Sequence, residues 1–377
     1  MQAANTNVAA LFEPIRFGTV TLPNRIAMAP MTRSKSPGKV STAEMAAYYK
    51  RRAEGGTALI ITEGINPGHP AGTGYPNVPG IDTDAELAAW SRVVREVHAA
   101  GGFIIPQIWH VGSVRKKGME PDPAMPGWGP SPIVHPANAQ QGESEPPHEM
   151  SLQDIGVTIA AFVRAARHAE ALGFDGIELH GAHSYLIDQF FWEATNVRTD
   201  QYGGRTLRER TRFAVELIEA VRAAVSSDFP IVFRFSQWKQ GDYQHQMAKT
   251  PEELAAFLTP LSAAGVDWFH ASTRSFDRPE FEGSDLNLAG WAKQITGKPV
   301  ITVGSVGLDV DFLKSYGGHE SGLVSLDGLV RRLERKEFDM VAVGRALLSD
   351  PAWARKIREG READVVPFMR DHLSTLM

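Results

Sequence analysis

Eight short apolar runs, rich in β-branched residues, recur along the chain, and helical patterns lie between them. The runs are 25–29, 58–62, 103–109, 176–180, 231–235, 268–271, 300–303 and 340–343. Continuous apolar runs of this length read as parallel strands buried on both faces. The clearest helical stretches are 84–99, 151–172, 207–225 and 251–264. Ser151 stands three residues before Asp154 as an approximate capping box, and Thr250-Pro251 places an N-cap before a first-turn proline. Gly101 and Gly173 mark helix ends. Eight strand–helix units in series predict an α/β fold, a (β/α)8 TIM barrel. A doubly wound sheet is the alternative, but it seldom has eight such units in a row. All 377 residues are expected to form one domain.

Two connections are too long for plain βα loops. Residues 111–150, rich in Pro and Gly, are expected to be a lid over the catalytic face, with Trp128 and Ile133 available to pack. The other spans 181–206.

Composition removes several function classes. No cysteine is present, which excludes disulfides, thiolate nucleophiles and Cys-ligated zinc or iron–sulfur centres. A net charge of −5 argues against a nucleic-acid partner. No apolar run approaches the ~18 residues of a membrane span. Residues 1–12 lack a basic segment followed by an apolar one, so a cytoplasmic location is expected.

Barrel chemistry belongs at the C-terminal ends of the strands. Glycine-bearing turns follow strands seven (Val303, Gly304, Ser305) and eight (Gly344, Arg345). Backbone N–H groups there can approach an anion, and Arg345 adds a bidentate donor fork. The pair predicts a phosphate site; two tight turns with a surface arginine are the plainer reading. Arg234 lies inside an otherwise apolar strand, so it faces either a structural carboxylate or a ring that becomes anionic. Gln107 carries both a donor and an acceptor, as the alternating edge of a flavin pyrimidine requires. His180 and His183 can together donate to one carbonyl oxygen, and Tyr185 can deliver a proton to carbon. The rival is a metal site in a hydrolase or lyase, with Asp188 or Glu178 as a third ligand.

With these residues in place, the chain resembles the Old Yellow Enzyme family of FMN-dependent ene-reductases. The likeness begins at Leu11-Phe12-Glu13-Pro14 and Leu22-Pro23-Asn24-Arg25-Ile26, and runs through Ala29-Pro30-Met31-Thr32. It is strongest from His180 to Phe190 and at Asn196-Val-Arg198-Thr-Asp200-Gln-Tyr202-Gly203-Gly204. It closes at Val303-Gly304-Ser305 and Val343-Gly344-Arg345. The resemblance implies a tightly bound FMN. Gly304, Ser305, Gly344 and Arg345, with Val303 beside them, would hold its phosphate. Thr32 would reach the flavin C4 carbonyl, Pro30, Met31 and Gly64 would line the ring, and Gln107 would hold the pyrimidine edge. Arg234 would stabilise the reduced ring. His180 and His183 would clamp the substrate oxygen, Tyr185 would donate the proton, and Trp109 and Tyr75 would shape the cavity. NADPH or NADH would supply hydride, and the partners would be enones, enals and nitro compounds, with no metal. A monomer or homodimer is expected. Thr32 and the His/His pair resemble the threonine-bearing branch of the family. Arg205 and Glu209, the Ala271–Ser275 loop with Arg274, and a tail without a pocket-closing tyrosine depart from the common pattern. The competing readings are the metal-dependent hydrolase or lyase and a non-catalytic flavin-binding redox protein.

Overall fold

A computed structural model describes residues 8–377. The leader reading of residues 1–12 lies outside the described residues as far as Asn7. Eight parallel strands close a barrel in chain order: β1 (Ile26–Met28), β2 (Leu59–Ile65), β3 (Phe103–Ile108), β4 (Ile177–Gly181), β5 (Ile231–Phe235), β6 (Trp268–Ser272), β7 (Val300–Val303) and β8 (Met340–Val343). Pairing of β8 with β1 completes the ring, with Ala342 opposite Ala27. The strands are buried on both faces, which is why they read as unbroken apolar runs.

Three strands extend beyond their predicted ends. β2 continues through Glu63 and Gly64 after a register shift between Ile61 and Gly64. The shift lies opposite Pro106, which has no N–H to give the ladder. β4 reaches Gly181 and β6 reaches Ser272. The helices Asp84–Ala99 and Pro251–Ala264 match their predicted bounds, and Ser151 caps Leu152–Ala171 reciprocally with Asp154. The 207–225 pattern starts late. Its α-helix is Arg212–Arg222, because Glu209 turns back to accept from the N–H groups of Arg205 and Thr206.

Residues inside the barrel alternate with those facing the helices. A hairpin of Ile15–Phe17 and Val20–Leu22 closes the N-terminal end. There Phe17 and Leu22 join Leu59, Val232 and Trp268 in one buried cluster. The polar interior lies toward the other end, where the strands reach Gln107, His180, Arg234 and Ser272.

The 111–150 segment is folded. It carries the helix Pro136–Ala139 and pairs Trp128–Gly129 with His148–Glu149. Buried Arg115 gathers the carbonyls of Met119, Glu120 and Met125. Three buried histidines tie this region together. His110 Nε2 donates to His69 Nδ1 at 3.1 Å, since both Nδ1 atoms already accept backbone N–H groups (Ala71 and Gly112). His135 Nδ1 accepts from Ala137, and its Nε2 donates to the Ser184 carbonyl.

Burial holds His69 and His135 down to about 4 and His110 well below its ordinary 6.5. In the unfolded chain they titrate near 6.5, so acid protonates the unfolded state first. Their contribution is complete above about pH 6.5 and is lost as pH falls toward 4. From pH 7 to 5, His69 and His135 together cost about 3–4 kcal/mol by linkage. Glu63, raised to about 7 by burial, acts the other way. Its stabilisation grows as pH falls through 7, by about 2 kcal/mol to pH 5. We therefore expect lower stability at pH 5 than at pH 7 in urea unfolding. An unchanged or higher midpoint at pH 5 would contradict the neutral histidines.

Candidate active site

Parallel register puts His180 of β4, Arg234 of β5 and His270 of β6 in one row, with Gln107 of β3 beside Glu178 of β4. Glu178 is fully buried. It accepts from Gln107 Nε2 at 2.7 Å and from His270 Nδ1 at 2.6 Å. A carboxylate only accepts, so the Gln107 amide is fixed with its nitrogen toward Glu178. Its oxygen and second N–H are left unengaged. Among the described residues no carboxylate lies within ion-pair distance of Arg234. Its Nη2 donates to Ser272 Oγ at 3.2 Å, and its buried Nε has no partner. The structural ion pair considered for Arg234 is therefore not made.

After β4 the backbone turns through two left-handed residues, His183 (φ 62°) and Ser184 (φ 57°). This is costly for side chains with a Cβ. The turn is held by His183 N–H donating to Ser236 Oγ and Ser184 N–H to Asp188 Oδ2. Asp188 in turn pairs with Lys239, both fully buried. The turn brings the two imidazoles edge to face at 5.1 Å and sets Tyr185 5.2 Å from His180. His183 stacks on Trp238 at 4.2 Å. Burial first, then the Arg234 charge, holds both histidines well below 6.5. Both are therefore neutral imidazoles, each with one N–H to donate. Burial and the neighbouring Tyr75 push the Tyr185 phenol well above 10, so it carries its proton throughout the neutral range. Asp188 and Glu178, the third ligands that a metal site would need, are committed to Lys239 and to Gln107 with His270.

A cavity of about 360 Å3 opens at this end of the barrel. It gathers the predicted Pro30, Met31, Thr32, His183, Tyr185, Arg234, Val303, Gly304, Ser305, Gly344 and Arg345 on one wall system. Gly304 has φ 138°, and a Cβ there would meet the Thr273 carbonyl at 2.7 Å. Arg345 reaches Ser305 Oγ at 3.4 Å and the Val310 carbonyl at 2.5 Å. The other predicted residues stand behind this wall. His180 and Gln107 are buried beside it. Tyr75 stacks on Trp109 at 5.4 Å, and its hydroxyl lies 3.4 Å from that of Tyr185. Gly64 is the floor under Trp109, since a Cβ would enter the indole at 2.2 Å.

Several lining residues escape the sequence reading: Trp238, Gln240, Tyr243, Phe312 and Leu373. The signal available was an aromatic residue four places after Arg234. Arg274 also lines the cavity and pairs with Asp311 at 2.7 Å. Arg205 and Glu209 instead build the cap described above.

A strand-seven glycine turn, a buried arginine with a free N–H, and an amide offering C=O and N–H edges fit a flavin mononucleotide. The model of the NADH:flavin oxidoreductase / NADH oxidase family matches residues 10–364. The chain belongs to that family. The Old Yellow Enzyme resemblance is thereby shown, and this member is an FMN-dependent oxidoreductase with a nicotinamide hydride donor. A putative 12-oxophytodienoate reductase 2 of Oryza sativa subsp. japonica is 40% identical over 349 residues, 92% of this chain and 86% of that protein. An NADH oxidase of Thermoanaerobacter brockii is 34% identical over 370 residues, 96% of this chain; the chain spans about half (52%) of that protein's length. In fold, the family member superimposes on morphinone reductase with a TM-score of 0.77 at 28% identity, covering 99% of this chain and 94% of that one. No helix among the described residues is long and apolar enough to cross a membrane.

Proposed function

We propose that this chain reduces the activated C=C bond of α,β-unsaturated carbonyl compounds, and of nitroalkenes, in a ping-pong cycle. The reading rests on one observation. A single cavity is lined by Gly304 and Arg345, by His183 and Tyr185, and by Arg234. Relatives named for reducing an oxophytodienoate and a morphinone support it. Bound there, FMN would supply two-electron hydride chemistry between NADPH or NADH and the substrate.

The chain's own residues do the rest. Gly304, Ser305, Gly344 and Arg345, beside Val303, would hold the phosphate. Pro30, Met31, Thr32 and Gly64 would line the ring, and Gln107 would take the pyrimidine edge. Arg234 would offer the reduced ring a cation, which stabilises an anion. His180 and His183 donate to the substrate oxygen and draw density from the double bond, which makes the β-carbon electrophilic. Tyr185 protonates the α-carbon. Tyr75 and Trp109 hold Tyr185 in place and shape the cavity. The 111–150 segment acts as a lid, braced to the catalytic turn through His135 and Ser184. A cytoplasmic monomer or homodimer completes this reading.

The test is the absorption spectrum of the purified protein. Flavin bands are expected, bleached by NADPH without oxygen and restored by 2-cyclohexenone. Folded protein that is colourless and refuses added FMN would overturn the proposal. Flavin that bleaches but is not reoxidised by any enone would reduce it to a redox carrier.

A further inference from the structure

Ser272, the last residue of β6, stands between the two charged or polar groups that the proposed chemistry treats separately. Its Oγ lies 3.2 Å from Arg234 Nη2 and 2.7 Å from His183 Nε2. A guanidinium only donates, so Arg234 occupies an acceptor position of the hydroxyl. The hydroxyl proton is then free, and His183 Nε2 is the acceptor in reach. Oγ has a second lone pair and could also accept from an Nε2–H, but Nδ1 would then be bare and could donate nothing into the cavity. A donor facing the cavity therefore requires that Nε2 accept and that the proton sit on Nδ1. Nδ1 has no partner among the described residues, and its ring lines the cavity. The ring cannot easily turn. It is stacked on Trp238, meets His180 edge to face, and leaves a backbone pinned to Ser236.

We infer that Ser272 is a positioning residue that joins Arg234 to His183 and sets His183 as the Nδ1–H tautomer, so that Nδ1–H is the donor offered to a substrate oxygen. The inference deepens the proposed clamp role of His183 and rests on it for its kinetic consequence. The tautomer itself does not depend on any substrate. The sequence marks the 271–275 stretch as unusual but not this serine's role, because its two partners come from β5 and from the turn after β4.

The test uses the holoprotein with 15N-labelled histidine, and His183→Asn identifies the His183 ring signals by their loss. In the wild type we expect a protonated Nδ1 and a bare Nε2. Ser272→Thr keeps the hydroxyl and should keep that signature. Ser272→Ala should shift the ring toward mixed tautomers and raise KM for 2-cyclohexenone about tenfold, the effect of one hydrogen bond, with flavin absorbance retained. An Nε2–H signal in the wild type overturns the inference. So does an alanine variant with unchanged ring signals. A shifted tautomer with an unchanged KM would uphold the role of Ser272 and overturn His183 as the clamp.

Discussion

Tyr185→Phe is expected to slow reoxidation of the reduced enzyme by 2-cyclohexenone by about 10²- to 10⁴-fold, the usual worth of a positioned general acid. Reduction by NADPH should be essentially unchanged, because it needs no proton from this side chain. The substitution removes one oxygen and little else. The ring would still meet Trp109 edge to face at 4.9 Å and His180 at 5.2 Å. The phenol it replaces is held well above 10 by burial and by Tyr75, so no pH in the neutral range mimics its loss. The Tyr75 hydroxyl, 3.4 Å away, is the nearest substitute donor. The single variant should therefore retain some turnover, and Tyr75→Phe with Tyr185→Phe should retain less. Stopped-flow measurement of the two half-reactions separates these cases. Undiminished enone-driven reoxidation in both variants would remove Tyr185 from the mechanism.

The same site shows which parts of the molecule a sequence exposes. All eight strands were legible because parallel barrel strands bury both faces and so carry unbroken apolar runs. Their ends were less so. β2 continues past Thr62 only because a register shift opposite Pro106 lets Gly64 pair with Gln107, and no local pattern announces such a shift. The residues at the strand ends, His180, Arg234, Gly304 and Arg345, were legible because a barrel gathers such ends at one mouth. Trp238, Gln240, Tyr243 and Phe312 come from loops without period, so their convergence depends on tertiary packing. Glu178 stands out in the sequence only as a candidate metal ligand beside the histidine pair. Its grip on both Gln107 and His270 needs the register of β3, β4 and β6.

Stability of the His183–Ser184 turn depends on a pair of charges outside the cavity. Asp188 and Lys239 are fully buried and bonded to each other. Burial raises the Asp188 carboxyl and lowers the Lys239 ammonium, and their mutual attraction opposes both shifts. Asp188 also accepts the Ser184 N–H at 2.6 Å. Lys239 lies in the loop that carries Trp238 against His183 and donates the Gln240 N–H to Ser184 Oγ. One carboxylate thus joins the two loops that hold the His183 ring. Asp188→Ala leaves an ammonium buried without a partner, a change that costs about 3–5 kcal/mol. Against a total stability of about 5–15 kcal/mol, that removes a large part of the margin. Lys239→Met strands the carboxylate, though it keeps the Ser184 N–H. Asp188→Asn with Lys239→Met removes both charges, and the amide oxygen can still accept from Ser184. The pair should therefore be coupled. We expect the double variant to be less destabilised than the sum of its single changes by about 1–3 kcal/mol in denaturant unfolding of the holoprotein. If the two single effects simply add, the ion pair is not what holds the turn. The left-handed backbone at His183 and Ser184 must then be supported by its other contacts, from His135, Gln189, Ser236 and Gln240.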